Sequence, residues 1–374
     1  MIDRKGWSKV KFGDVVRLSK DRSSDPIANG YDRYIGLDHI EPEDLRIRRW
    51  GNVADGVTFT SVFKPGQVLF GKRRAYQRKV AVADFAGVCS GDIYVLESKD
   101  PQKFLPELLP FICQTETFFQ HAVGTSAGSL SPRTNWTSLA DFEFALPPLE
   151  EQRRISYMLQ SIETVNEALD DATIRADSLL RALSRKEFSK EACEGELLAS
   201  HYTVVSGQVD PKAERYADLP LIAPNHIKSN SGQILNIESA SDQLAISGKY
   251  LFGEGAVLYS KIRPNLVKAA IAPCTGLCSA DMYALLPKDS LRGEYLLEIL
   301  LSDTFTQFAI SGSMRTGIPK LNREHLSQYQ CRVPSLTSQD DFLVLVRAIR
   351  SSINEIITRR KKSNELKSMV LLEV

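Results

Sequence analysis

Residues 146–190 read LPPLEEQRRISYMLQSIETVNEALDDATIRADSLLRALSRKEFSK. With Ile155 taken as position a of a heptad, all a and d positions as far as Leu183 are apolar, and most positions between them are charged or polar. These apolar positions are Ile155, Met158, Ile162, Val165, Leu169, Ala172, Ala176, Leu179 and Leu183. A narrow apolar seam is typical of a coiled coil, so the stretch predicts one long helix that packs against a partner helix. About 40 helical residues span roughly 60 Å, which predicts a spacer.

The other end of the chain supplies a candidate partner helix. Residues 333–374 read VPSLTSQDDFLVLVRAIRSSINEIITRRKKSNELKSMVLLEV, and the opening repeats that of the first helix at an offset of 187. The matching pairs are Pro147 and Pro334, Leu149 and Leu336, and Gln152 and Gln339. A weaker heptad seam consists of Phe342, Leu345, Ile349, Ile356, Leu366 and Val370, and is interrupted by Ser352, Arg359 and Ser363. The alternative, two independent surface helices, would leave two long apolar seams exposed.

The chain also contains an internal repeat. Residues 63–96 and 252–285 align without a gap at an offset of 189, with 15 identities in 34 positions. Short runs rich in Val and Ile predict strands in each copy, and residues 103–122 and 292–310 predict helices. The sequence therefore predicts a mixed α/β fold in which two tandem globular domains, each followed by a long helix, form a pseudo-twofold repeat. The predicted boundaries are 1–146 and 193–333 for the domains, and 147–192 and 334–374 for the helices.

Composition narrows the class of protein. A net charge of +1 gives no overall attraction to nucleic acid or membranes, so any DNA binding must come from local patches. The six cysteines are scattered without paired CxxC motifs, which favours a reducing cytoplasm. Cys274 and Cys278 form one CxxxC, but no second pair of ligands completes a metal site. No apolar run is long enough for a membrane helix.

The most specific local signal is a pair of matching basic segments. KRRAYQRK, residues 72–79, has five basic residues in eight with an aromatic ring among them, and its counterpart is KIRPNLVK, residues 261–268. Such segments suit contacts with phosphates and base edges. The predicted DNA-binding residues are Lys72, Arg73, Arg74, Tyr76, Arg78 and Lys79 in the first copy and Lys261, Arg263, Asn265 and Lys268 in the second. Arg133, Arg315, Lys320 and Arg323 in Gly- and Ser-rich loops form a weaker set, and a solvated basic turn is the alternative interpretation.

No residues predict a catalytic centre. His39 and His226 are repeated without a nucleophile at a known spacing, so we interpret them as structural. Cys89 and Cys278 follow a glycine and precede a strand, where tight packing explains a small residue better than nucleophilic activity does. The chain has no GxGxxG, P-loop or HExxH motif, and no Asn/Asp-Pro-Pro-aromatic motif of the amino-methyltransferase kind.

The whole arrangement resembles the specificity subunit of Type I restriction-modification systems. The resemblance is carried by LPPLEEQRRI at 146–155, GAVLYSKIRPNLVKAAIA at 255–272, GLCSADMYALLP at 276–287 and GIPKLNREHL at 317–326, together with the duplication and the opening GWSKVKFGDVV. One departure is that VPSLTSQDDF at 333–342 lacks the second Pro, the Glu pair and the basic pair of the first helix.

The resemblance implies a division of roles. Each globular region would be a target-recognition domain that reads one half of a bipartite, non-palindromic sequence in double-stranded DNA. The two helices would pack antiparallel, set the spacing and dock two methyltransferase subunits, which would carry S-adenosylmethionine and flip the target adenine. Restriction subunits are further candidate partners. This chain itself would be a non-catalytic subunit without a cofactor or a metal.

Two other classes of function remain open from the sequence. One is a helical scaffold whose globular regions bind no DNA, and sequence-specific DNA binding by the assembled complex distinguishes it. The other is a self-contained enzyme, which methyl transfer or cleavage by this chain alone would reveal.

Overall fold

The computed structural model describes residues 4–189, 195–313 and 317–373. The chain divides into two units, and the division falls inside both long helices. Unit 1 comprises the residues up to Asp170 and those from Ile357 onward, whereas unit 2 comprises Asp171–Ile356. Each unit thus contains one of the predicted globular regions with part of each helix. The predicted boundaries at 146 and 333 stay predictions, and the one at 192/193 lies outside the described residues.

Unit 1 is built from short strands and helices. Its strands are β1 (Ser8–Lys11), β2 (Val16–Leu18), β3 (Arg33–Ile35), β4 (Gly51–Asn52), β5 (Ser61–Phe63), β6 (Val68–Gly71), β7 (Val80–Val82), β8 (Gly87–Cys89), β9 (Ile93–Ser98) and β10 (Glu143–Leu146). Its helices are α1 (Phe12–Val15), α2 (Leu109–Ile112), α3 (Glu116–Gly124) and α4 (Trp136–Ala140), followed by the first part of the long helix α5 (Leu149–Glu187).

Unit 2 repeats most of this sequence of elements, although α6 lies between β13 and β14 whereas α1 lies between β1 and β2. Its strands are β11 (Glu196–Leu197), β12 (Tyr202–Val204), β13 (Gln208–Val209), β14 (Leu221–Ile222), β15 (Lys249–Phe252), β16 (Val257–Ser260), β17 (Ala269–Ile271), β18 (Gly276–Cys278), β19 (Met282–Pro287) and β20 (Gln330–Cys331). Its helices are α6 (Glu214–Ala217), α7 (Gly293–Leu301), α8 (Asp303–Ser311) and α9 (Arg323–Ser327), followed by the first part of the long helix α10 (Leu336–Leu372). The predicted fold class, mixed α/β with two sheet-containing domains and two long helices, is confirmed.

The sheets of the two units share a topology. The antiparallel sheet of unit 1 has the order β2-β9-β6-β7, and that of unit 2 has the order β12-β19-β16-β17. In the second sheet, β3 pairs parallel with β8, and β14 pairs parallel with β18. The fourth strand differs, because β4 adds beside β3 in unit 1 whereas β13 adds beside β15 in unit 2. The duplication therefore preserves the inner strands and lets one edge vary.

The surroundings of the two faces of strand β6 explain why its residues are apolar without alternation. Successive side chains of a strand point to opposite faces. Val68 and Phe70 enter the larger hydrophobic core of unit 1, whereas Leu69 enters a second core on the other face. In β16 of unit 2, Val257 and Tyr259 likewise face one core and Leu258 the other. Both strands are buried on two sides.

The predicted helices at 103–122 and 292–310 are each interrupted in the structure. Helix α2 ends at Ile112, and Thr115 caps the start of α3, since its Oγ1 accepts a hydrogen bond from Phe118 N at 3.3 Å. Ser302 does the same for α8, with its Oγ accepting from Phe305 N at 3.2 Å. A hydroxyl that accepts a hydrogen bond from a free backbone N–H caps the start of a new helix. Each predicted helix is therefore two helices in the structure.

A buried glutamine joins the start of each long helix to its globular region. Gln152 donates from Nε2 to the carbonyls of Lys103 and Pro147, at 2.9 and 2.8 Å, and accepts from Leu105 N at 2.9 Å. The equivalent bonds of Gln339 go to Ser290 O at 3.0 Å, Pro334 O at 2.8 Å and Arg292 N at 2.8 Å. Every partner is shifted by 187 residues, so the duplication is preserved at the level of single hydrogen bonds.

Within unit 1, α5 and α10 run antiparallel, and polar contacts join them beyond the apolar core to which Ile155, Leu159 and Val370 belong. Asn166 Nδ2 donates to Asn364 Oδ1 at 3.2 Å, and Arg360 Nε donates to Asp170 Oδ1 at 2.9 Å. Lys367 Nζ lies 2.5 Å from Glu163 Oε1. As the numbers rise along α5 they fall along α10, which sets the direction.

Within unit 2, the end of α5 meets the start of α10 through apolar contacts. The Phe188 ring packs edge-on against Phe342 at 5.5 Å and against Tyr295 at 5.4 Å between centroids. Leu180 and Leu183 pack against the same core, which also contains Phe342 and Val346.

The residues of the predicted seam differ in burial. Ile155, Ile162, Phe342 and Val370 are buried, and Leu169, Leu183, Ile349 and Ile356 are half-buried. The residues predicted between them are exposed: Val165 by 51%, Leu179 by 57%, Leu345 by 53% and Leu366 by 48%. In each case the next residue along the helix is the less exposed one, namely Asn166, Leu180, Val346 and Lys367. In the same way, Leu159 is buried next to the half-buried Met158. Ile155 therefore occupies position d of the heptad. The next residue of the seam is Leu159, four residues further on, and not Met158, three residues further on.

Among the described residues, no helix combines the length and hydropathy required to cross a membrane.

Candidate nucleic-acid interface

The two basic segments form the same loop in their respective units. We call residues 72–79 loop 1 and residues 261–268 loop 2. Each follows a buried strand, β6 or β16, and contains one turn of 3-10 helix, at Ala75–Gln77 or Pro264–Leu266. This turn lies between two residues in the left-handed region, with φ of 55° at Arg74 and Arg78, and of 49° and 47° at Arg263 and Val267. Such a conformation costs about 1–3 kcal/mol for a residue other than glycine, so the surroundings must hold it.

Backbone hydrogen bonds hold both loops at matching atoms. In loop 1 the bonds run from Lys72 N to Asp92 O (3.0 Å), from Arg74 N to Pro132 O (2.7 Å) and from Glu43 N to Arg78 O (3.3 Å). In loop 2 they run from Lys261 N to Asp281 O (3.0 Å), from Arg263 N to Pro319 O (2.8 Å) and from Asn230 N to Val267 O (2.9 Å). Three separate parts of each unit thus fix one loop.

Repeated lysines complete this frame from within the loops. Lys79 Nζ donates to Leu37 O at 2.6 Å, and Lys268 Nζ donates to Pro224 O at 2.7 Å. These carbonyls belong to 3-10 turns that contain His39 and His226. The sequence predicted both lysines as DNA-binding residues, but their ammonium groups hold the loop to a neighbouring turn. Direct contact of these two with DNA stays a prediction.

Lys72 and Lys261 lie over tyrosine rings. Lys72 Nζ is 4.6 Å from the Tyr94 ring centroid, and Lys261 Nζ is 5.1 Å from that of Tyr283. Burial lowers the pKa of both ammonium groups. An aromatic ring attracts an ammonium group that lies over its face. These half-buried lysines therefore help to hold each loop in place from its inner side.

The remaining basic residues of loop 1 are mostly paired. Arg73 lies 3.1 Å and Arg133 2.9 Å from the carboxylate of Asp92. Although burial opposes it, hydrogen bonds from Arg133 and Arg73 hold the pKa of Asp92 below its usual range. Arg78 pairs with Glu116 and lies over the Phe119 ring. Two carboxylates, Asp92 and Glu116, thus hold three arginines in place while loop 1 stays positively charged overall.

Loop 2 differs at these positions. Ile262 stands at the place of Arg73, and Lys320 at that of Arg133, while Asp281 repeats Asp92. Ile262 forms a β-bridge with Lys320, as Arg73 does with Arg133. Arg263 and Arg323 are exposed in the same unit. Arg315 lies outside the described residues.

The outermost side chains of the loops are not part of the frame. Tyr76 is 54% exposed and Asn265, at the same place in loop 2, is exposed as well. Leu266 is 37% exposed, and its counterpart Gln77 is half-buried. A side chain presented by a rigid loop is positioned to contact another molecule.

The repeated histidines and cysteines have structural roles. Nδ1 of His39 accepts from Gly36 N at 3.0 Å, and Nδ1 of His226 accepts from Ala223 N at 3.1 Å, as the sequence predicted. Cys89 and Cys278 are fully buried, and burial raises the pKa of each thiol to about 12. A thiol of that pKa is not a nucleophile near neutral pH.

A close approach of strands explains the repeated glycine before each cysteine. A Cβ on Gly87 would lie 2.5 Å from Arg33 O, and one on Gly276 would lie 2.7 Å from Pro220 O. Neither strand tolerates a side chain there. Among the described residues, no group of His, Cys, Asp and Glu side chains is arranged to hold a metal.

Comparison with known proteins finds one family model and several similar proteins. Residues 4–175 match the family model described as Type I restriction modification DNA specificity domain. The predicted resemblance is confirmed. The specificity subunit of the Type I restriction enzyme EcoDI from Escherichia coli is 37% identical over 122 residues, which are 33% of this chain and 27% of that protein. The StySPI specificity subunit from Salmonella potsdam is 28% identical over 191 residues, 47% of this chain and 37% of that protein. The matches thus span about a third of these relatives.

Solved structures show the same fold along nearly the whole chain. The S subunit of a Type I restriction-modification system from M. genitalium has a TM-score of 0.64 at 12% identity, over 99% of this chain and 96% of that one. A chain from a structural study of complex assembly and conformational transition of the type I R-M system has a TM-score of 0.62 at 18% identity, over 98% and 97%. These likenesses concern the fold.

Proposed function

We propose that this chain is the DNA-recognition subunit of a Type I restriction-modification complex and that each unit reads one half of a bipartite target. The observation that carries the proposal is the pair of framed loops, one in each unit, with the same backbone and different outward side chains. Because the outward residues differ, the two half-sites differ and the target is not a palindrome.

The basic residues divide into two groups under this proposal. Exposed arginines, such as Arg133, Arg263 and Arg323, contact phosphates and orient the unit on the duplex. Phosphate contacts carry no sequence information, so base recognition requires side chains at the outer end of each loop. Lys72, Lys79 and their counterparts in loop 2 support the loop from beneath.

The long helices are proposed to dock the methyltransferase subunits and to set the gap between half-sites. Their exposed apolar side chains support this role, because large apolar groups on a helix surface favour a protein partner. In unit 1 these are Tyr157, Val165, Ile357, Leu366, Met369 and Leu372, and in unit 2 they are Ile174, Leu179, Val344 and Leu345. Two methyltransferase subunits would bind, with restriction subunits as further candidates. They would supply S-adenosylmethionine and the chemistry, and this chain would be non-catalytic.

A domain exchange tests the proposal. Residues 1–146 are replaced by the equivalent region of a relative, the chain is expressed with its methyltransferase subunits, and the methylated adenines are mapped. We expect one half of the motif to change, while the other half and the gap stay the same. A change in both halves together would refute independent reading by the two units. Absence of sequence-specific DNA binding in the assembled complex would instead favour the scaffold.

A further inference from the structure

The two loops separate what is common to both units from what differs. The common part is the frame: the left-handed residues, the backbone bonds, the lysine over a tyrosine and the lysine bonded to a carbonyl. The loops differ at five of their eight positions, and Tyr76 in loop 1 and Asn265 in loop 2 are the differing pair that is exposed in both units. Frame residues are identical or bond through backbone atoms, whereas Tyr76 and Gln77 are replaced by Asn265 and Leu266.

We infer that Tyr76 and Asn265 are base-reading residues, and that Asn265 recognises an A·T pair in the major groove. This inference rests on the proposed function and adds the residues and the chemistry of reading. A duplicated frame with different outward residues is the arrangement required to present two different readers in one geometry.

The side chain of Asn265 has the chemistry for adenine. A carboxamide offers one acceptor and two donors, and it pairs with N6 and N7 of adenine through two hydrogen bonds. This side chain is exposed, and among the residues that the structure describes it has no hydrogen-bond or ion-pair partner. Leu266 beside it is apolar, and an apolar side chain suits the thymine methyl of the same kind of base pair.

Tyr76 presents different chemistry at the matching position. It has one hydroxyl, which both donates and accepts, on a broad aromatic ring. A ring of this kind contacts base edges or stacks on an unpaired base with less discrimination than a carboxamide. We therefore expect the Tyr76 half-site to depend less on any single base pair than the Asn265 half-site does.

The test measures base preference rather than affinity alone. The assembled complex with its methyltransferase subunits is titrated with duplexes in which each base pair of the target is changed singly. Asn265→Ala should lose about tenfold or more of the discrimination at one base pair in the half-site of unit 2, with the other positions unchanged. Asn265→Asp should shift that position from A towards C, because a carboxylate accepts a hydrogen bond from cytosine N4 but cannot donate to adenine N7.

Controls keep a structural effect apart from a change in reading. Asn236→Ala changes an exposed asparagine of the same unit outside the loop and should leave every preference unaltered. Tyr76→Ala should act on the other half-site alone. If Asn265→Ala weakened all duplexes equally, or left the preferences unchanged, Asn265 would not read a base. If the unaltered complex showed no preference at all, the proposed function itself would fail.

Discussion

The long helices are held together by different chemistry in the two units. In unit 1 the contacts between α5 and α10 include Asn166 with Asn364 and Asp170 with Arg360. In unit 2 the end of α5 and the start of α10 share an aromatic cluster of Phe188, Tyr295 and Phe342. Apolar contacts contribute most of the free energy of packing, whereas a partly buried amide pair contributes little but permits one alignment of the helices. Ile155, Leu159 and Val370 also share the apolar core of unit 1, so the amide pair there adds a determinant of register to apolar packing that both units use.

The largest expected effect comes from removing the aromatic anchor of unit 2. Phe342→Ala should lower the free energy of unfolding of unit 2 by about 3–5 kcal/mol, because it leaves a cavity next to two other rings. Hydrogen exchange resolved along the chain measures this in each unit separately. Val344→Ala, on the exposed side of the same helix, should change it by less than about 0.5 kcal/mol. A loss below about 1 kcal/mol in Phe342→Ala would contradict the role given to the cluster.

The amide pair of unit 1 should behave in the opposite way. Asn166→Ile introduces the residue type found at the matching position of α10, Ile353, and should raise the stability of unit 1 by about 1 kcal/mol, since a polar residue in a helix seam costs stability. Urea unfolding combined with hydrogen exchange tests this. Thr164→Ile on the exposed side serves as the control. A clear loss of stability in Asn166→Ile would mean that the amide bond itself holds the helices.

A buried carboxyl gives unit 2 a dependence on pH that the matching site of unit 1 lacks. Glu298 is buried beside Arg350, whereas Phe111 stands at the same place in unit 1. Burial raises the pKa of Glu298 above its usual 4.5, although Arg350 opposes the shift. A raised folded-state pKa stabilises the fold below pH 4.5, and this contribution is lost as the pH rises through the folded-state pKa.

Glu298→Gln should therefore flatten the fall in the stability of unit 2 as the pH rises above 4.5. Unfolding free energies measured over this range for the variant and the unaltered chain provide the comparison. Glu254→Gln, an exposed change in the same unit, should keep the original slope. An unchanged slope in Glu298→Gln would show that this carboxyl does not titrate differently in the folded state.

The long helices were predictable from the sequence, but the alignment of their seam was not. Ile155 fits either position a, with Met158 as d, or position d, with Leu159 as the next a. The count of apolar residues favours the first reading because Val165 is apolar and Asn166 is polar. The structure takes the second, since Asn166 has an amide partner on the other helix. A pattern within one helix cannot reveal a hydrogen bond to a residue 198 positions away.

Repetition identified the loops, but it could not show that their lysines also have a structural role. Lys79 and Lys268 are identical because both bond to a carbonyl of a neighbouring turn, a requirement of the fold. Tyr76 and Asn265 can differ because, within the part of the chain that the structure describes, their side chains make no such hydrogen bond. In a duplicated protein, identity between the copies marks the shared structure, and the exposed differences mark the candidates for separate function.

The frame of the loops also bears on how such a protein changes over generations. The bonds that fix each loop come from backbone atoms and from residues behind it, so a substitution at Tyr76 or Asn265 leaves the main chain where it is. A single nucleotide change in either codon can alter the outward side chain without the loss of folding that most mutations bring. Each copy can thus acquire new side chains independently of the other. The strained loop lowers the stability of both units, but it provides two positions at which a substitution has little effect on folding.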